Sequence, residues 1–155
     1  MFKTLQALLA DLGGESLVHE NALQHINTKV TDKSLIIEIF DTDEGALFDL
    51  KGRATPILKT IIKMMNRVFD LVTNPVSIEG HIRSYPIVLQ DKPGWRSSIE
   101  RALLVQSMFD DYGFDHARIR RVVGHADRDL ATGTPTEIRN NRLEITLLRT
   151  GFSVQ

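Results

Sequence analysis

The chain has 155 residues, 42% of them hydrophobic and 25% charged, with no cysteine and a formal net charge of -1. That length suits one domain with a real core, the charge balance excludes a disordered acidic or basic chain, and the missing thiols exclude a disulfide framework, a thiol nucleophile and a cysteine-ligated metal. No apolar run approaches the roughly 18 residues of a membrane span, and Met1-Phe2-Lys3-Thr4 lacks the order of a signal peptide, so taken literally the sequence reads as soluble and without export information.

Leu5, Leu8, Leu9 and Leu12 space a short amphipathic helix over 3–12, which Gly13-Gly14 ends. Residues 23–31 and 34–40 read as strands joined by a tight turn at Thr31-Asp32-Lys33. Asp41-Thr42-Asp43-Glu44-Gly45 reads as a polar, solvated loop. Thr55-Pro56 supplies an N-cap and a proline at the first helical position. Ile57, Ile61, Met64, Met65, Val68 and Val72 then recur at helical intervals up to Asn74-Pro75. Residues 76–82 alternate as a strand, 84–94 form a loop, and a second helix runs from Ser97 to Tyr112, with Ser97-Ser98 as its N-cap and Gly113 as its C-cap. Asp115 caps a turn before the strand 119–124. A polar loop over 127–139 leads to a last strand over 141–148. The order β-β-α-β-α-β-β, with a leading helix, implies crossover units and an α/β sandwich.

Candidate chemistry is sparse. All seven lysines lie at or before Lys92, and nine of the twelve arginines lie after it, accompanied by eight acids. The compensation argues against nucleic-acid binding, which wants clustered, unbalanced positive charge. His81 and His125 each follow a glycine near a strand end, with Asp127 close to the second, but no spaced metal motif joins them and no metal is expected. There is no GxSxG elbow, SxxK motif, GxGxxG or phosphate loop, so neither an enzyme nor a cofactor is expected. What remains is a helix N-terminus near Ser97-Ser98 with Arg101 one turn on. Free amides and a guanidinium fork there would make a carboxylate receptor. A surface ion pair of Arg101 is the plainer alternative.

From Leu47 to Leu148 the chain resembles the OmpA-like peptidoglycan-binding family, and within it the MotB branch found in flagellar motor stators. The landmarks occur in order. They are Leu47-Phe48 before the first long helix, Ile78-Glu79-Gly80-His81, Trp95 with Ser98 and Arg101-Ala102, Arg121-Val122-Val123-Gly124-His125-Ala126-Asp127, and Arg139-Asn140-Asn141-Arg142-Leu143-Glu144-Ile145.

The resemblance implies an α+β sandwich of the OmpA-like type: a mixed sheet with two long helices on one face and an extra N-terminal helix and strand. Residues 1–22 would be a linker with an amphipathic helix, and 23–150 the domain. It further implies a non-enzymatic periplasmic domain that anchors a stator to peptidoglycan through the diaminopimelate-bearing stem peptide. The domain would act as a homodimer, beside a membrane-embedded partner subunit. The transmembrane helix of such proteins is absent here, so the chain is expected to be an excised piece. The binding residues implied are Arg101, Ser98, Arg83, His81, Asn140 and Arg142. Three departures fall on the ligand side. Arg83 stands where the family carries aspartate, Ser97 replaces a leucine, and Asn141 replaces an arginine. Inverting the charge at 83 should cost an ammonium ligand on the order of a kcal/mol. The alternative implied is a degenerate module that keeps the fold and serves dimerisation or protein docking.

Overall fold

The computed structural model describes residues 1–84 and 94–149. Most of the loop expected at 84–94, and residue 150 at the expected domain end, lie outside the described residues. The N-terminal helix α1 (Phe2–Gly13) buries Phe2, Leu5 and Leu9, and closes at Gly14, with the Gly14 N–H on the Asp11 carbonyl and the Glu15 N–H on that of Leu12. A second helix, α2 (Leu17–Leu23), was not foreseen. Ser16 caps it by accepting the His19 N–H. The strand expected from residue 23 therefore starts later, as β1 (Ile26–Val30). The residues read as a linker, 1–22, contribute Leu5, Leu9 and Ala22 to the main core.

β1 and β2 (Ser34–Phe40) form an antiparallel hairpin whose turn is tied by Thr31 Oγ1, which accepts the Lys33 and Ser34 N–H groups. Thr55 caps α3 (Pro56–Phe69), as the Thr-Pro pair predicts. Then follow β3 (Val76–His81), α4 (Gly94–Asp111), β4 (Ile119–Gly124) and β5 (Arg142–Leu148), with short 3₁₀ turns at His116–Arg118 and Ile138–Asn140. The sheet order is β1-β2-β5-β3-β4. β3 and β4 are parallel, joined by the α4 crossover, and the other pairs are antiparallel. The expected mixed sheet with α3 and α4 on one face is what the chain forms.

The strand period of two assigns the faces. Ile37, Ile145 and Ile78 are directly opposite one another and fully buried in the helix-covered core. Burial of each such side chain is worth about 1.5–3 kcal/mol. Their immediate neighbours Glu38, Glu144 and Glu79 form the matching row on the other face. Phe69, Phe109 and Phe114 lock α3 to α4, with ring centroids 5.1–6.4 Å apart. Among the described residues no helix is long and apolar enough to cross a membrane.

Candidate functional site

Helix α4 begins at Gly94, so Ser97 and Ser98 lie inside it rather than at its cap, as the sequence had suggested. Ser98 is fully buried. Its Oγ donates to the Trp95 carbonyl at 3.0 Å and accepts the Ala126 N–H at 3.0 Å. Two glycines admit this seat. A Cβ on Gly80 would strike the Ser98 carbonyl, and one on Gly124 would lie 2.6 Å from Ser98 Oγ. The helix therefore rests directly on the ends of β3 and β4, and that contact aims Arg101 outward.

Arg101 projects into a cleft of about 470 Å³ between α4 and the segment joining β2 to α3. Its guanidinium lies over the Phe48 ring, 4.8 Å from the centroid. Arg83 and Lys51 also line this cleft, as do the acids Asp41, Asp49 and Glu100. The lip at 49–53 is built by Asp49, whose carboxylate accepts the Lys51 and Arg53 N–H groups and the Arg53 Nε–H. Gly52 at φ 79 completes that tight turn, a left-handed conformation that glycine adopts without strain. The backbone N–H of Arg53, first among these bonds, holds the Asp49 carboxyl below its usual value.

Asp41, expected in a solvated loop, is buried. Its Oδ1 accepts the Leu47 N–H at 2.8 Å and its Oδ2 accepts Asn141 Nδ2 at 3.2 Å. Burial pushes its carboxyl above the ordinary value of 3.8, against the pull of the Leu47 N–H, Arg101 and Asn141. Asn141 also accepts the Arg83 N–H on Oδ1 at 2.9 Å, so one amide joins the acid on the cleft wall to the chain carrying Arg83. Arg83 Nη1 reaches the Thr136 carbonyl at 3.4 Å.

Of the six expected site residues, Arg101 and Arg83 line the cleft; the other four do not. Ser98 braces the turn at Ala126. Asn140 is buried and pins the 131–135 loop, accepting the Ala131 and Thr132 N–H groups and donating to Thr132 Oγ1 and the Thr134 and Pro135 carbonyls. Arg142 is buried 3.9 Å from Glu38 on the far face of the sheet. His81 is buried there too, hydrogen-bonded to Glu144. Sequence reasoning missed Asp41 and Phe48 as parts of the cleft, and placed Asn141 on the ligand side only as a departure from the family's motif. An apolar residue beside an Asp-rich run after a strand was their one local signal.

The fold is that of OmpA-like domains. The OmpA-like domain of FopA1 from Francisella tularensis superposes with a TM-score of 0.57 at 16% identity, covering 80% of this chain and 81% of that one. The cell wall anchor of the T6SS from Pseudomonas aeruginosa gives 0.68 at 22% identity, covering 93% and 96%. The periplasmic domain of Helicobacter pylori MotB (residues 97–256) gives 0.64 at 14%, covering 77% and 86%. In sequence the chain is similar to Motility protein B of Escherichia coli K12, at 24% identity over 128 residues. The match covers 80% of this chain and 42% of that protein, so the chain spans about two fifths of that relative's length. No family model matches the chain.

Proposed function

We propose that the chain is a non-enzymatic, periplasmic anchoring module of a MotB-like stator protein, and that its cleft grips peptidoglycan. The observation that carries this reading is the Arg101 guanidinium, held over the Phe48 ring at a cleft whose wall holds an acid, Asp41. A diaminopimelate-bearing stem peptide offers carboxylate and ammonium groups. Arg101 would take a carboxylate through a two-pronged, charge-assisted bond. The acids of the cleft would receive the ammonium. The description of one structural neighbour as a cell wall anchor supports the same direction. The domain would act as a homodimer beside a membrane-embedded partner subunit.

Sedimentation with purified diaminopimelate-type sacculi tests the reading. The wild-type chain should pellet at low salt. Arg101→Ala should bind about 10- to 100-fold more weakly, the worth of a hydrogen bond to a charged group. Wild type left in the supernatant would sink anchoring; a folded Arg101→Ala that pellets normally would sink this cleft as the site. The second reading, a docking or dimerisation module without ordinary diaminopimelate binding, is favoured by Arg83 on the cleft wall. Under the first reading Arg83→Asp should strengthen pelleting by removing a cation that opposes the ammonium. Light scattering tests the dimer, and a monomer at tens of micromolar would count against it.

A further inference from the structure

The sheet face turned away from α3 and α4 carries a row of acids, Glu38, Glu144 and Glu79, directly opposite one another on β2, β5 and β3. Like charges so placed destabilise a sheet unless opposite charge stands among them. At the β2 end the compensation is permanent, since Arg139 pairs with Glu38 and Arg142 lies 3.9 Å from it. At the β3 end the neighbours are imidazoles. His81 Nε2 lies 3.0 Å from Glu144 Oε2, and His125 Nε2 lies 3.5 Å from Glu79 Oε2. A histidine carries positive charge only when protonated and otherwise offers lone pairs.

The two imidazoles stack, with centroids 4.7 Å apart and planes 12° from parallel. The His81 side chain is 1% exposed. Its Nδ1 is buried with no hydrogen-bond partner, and so is His125 Nε2. Unpartnered buried nitrogens beside paired carboxylates describe a polar network that lacks a member. Glu79, His81 and His125 bring one ligand atom each to within 4.8 Å of one another, and so do His81, Asp129 and Glu144.

We propose that Glu79, His81, His125 and Glu144, with Asp129 at the rim, bind a divalent transition-metal ion of the zinc type. Mixed imidazole and carboxylate donors suit zinc and its first-row neighbours, whereas magnesium and calcium take oxygen donors. Donors at about 2.0–2.2 Å from an ion stand roughly 3–4 Å from each other, so either trio, its ligand atoms now within 4.8 Å of one another, closes by about an ångström on binding. His81 is fixed by burial. His125 follows the end of β4, is 29% exposed, and tilts off the stack so that both lone pairs reach one ion. The ion neutralises the Glu79–Glu144 pair and ties together the ends of β3, β4 and β5. No linear motif announces the site because its ligands come from separate strands and a loop.

The full chain, freed of metal with a chelator, is titrated with zinc chloride by calorimetry, with a thermal melt in parallel. The expected result is about one ion per chain and a raised melting temperature. His125→Ala and Glu79→Gln alter partly exposed side chains, so the fold is retained. Each should weaken binding at least about tenfold, while His116→Ala, on an exposed turn, should not. Three results would each overturn the site: no zinc binding at millimolar concentration, undiminished binding in both variants, or magnesium competing on equal terms.

Discussion

Replacing Ser98 with alanine deletes one oxygen atom from the seat of α4. That oxygen accepts the Ala126 N–H at 3.0 Å in a fully buried position. Ala126 is itself buried and stands at φ 54, the left-handed region that a residue with a Cβ enters only under constraint. Without Ser98 Oγ, that buried N–H loses its acceptor. Leaving a buried donor unsatisfied costs about 1–3 kcal/mol. The Trp95 carbonyl loses less, because it lies in the first turn of α4 and retains a helical acceptor role. The strained turn relaxes somewhat when released, which places the net loss near ~2 kcal/mol. For a chain of this length each kcal/mol moves the melting temperature by about 2–4 °C, so Ser98→Ala should melt about 4–8 °C lower. Far-UV circular dichroism on heating, with urea midpoints as a second measure, reads the change. Folded Ser98→Ala should still pellet with sacculi. A melting point within about a degree of wild type, together with lost sacculus binding, would refute the bracing role and make Ser98 a ligand contact instead.

Gly124→Ala presses a methyl group to 2.5 Å from Ile99 N and 2.6 Å from Ser98 Oγ. Backbone cannot yield as a flexible side chain does, so the loss should fall at the upper end of about 1–3 kcal/mol, and an unchanged urea midpoint would contradict the close seating of α4. Asp41 gives a pH signature. Its carboxyl is raised by burial, so in the folded state it keeps a proton that the unfolded chain has already released. Its contribution is full below the ordinary value of 3.8 and is lost as pH rises through the folded value. Asp41→Asn removes that slope, so the variant should gain on wild type from about pH 4 upward. The new amide also meets Asn141 Nδ2 and shifts the curve bodily, so the slope is the diagnostic, and parallel urea-midpoint curves would sink the assignment.

Legibility followed the range of the interactions. Thr55-Pro56 and the apolar spacing that follows announce α3 because cap, proline and buried stripe are all local. α2 escaped because Leu17 and Val18 point to solvent and Ala22 alone is buried, leaving no stripe to see. The place of β5 between β2 and β3 was hidden for the opposite reason, since it is set by pairings across the whole chain. The cleft divides the same way. Arg101 and Arg83 could be picked out by position in a motif. The link between Asp41 and Asn141 could not, because it spans 100 residues and exists only through the β2–β5 register. A motif names positions without saying which way a side chain points. Ser98, His81, Asn140 and Arg142 therefore read as ligand contacts, whereas the fold buries all four away from the cleft.

The parity of β3 explains why braces and cleft lie so close in sequence. Gly80 faces the helices and must be bare to admit the Ser98 carbonyl. Its neighbours Glu79 and His81 must then fall on the opposite face, paired with Glu144 and Arg142. β4 repeats the arrangement, with Gly124 under α4 and His125 stacked on His81. A seat that needs two glycines at two adjacent strand ends thus places two histidines side by side behind it.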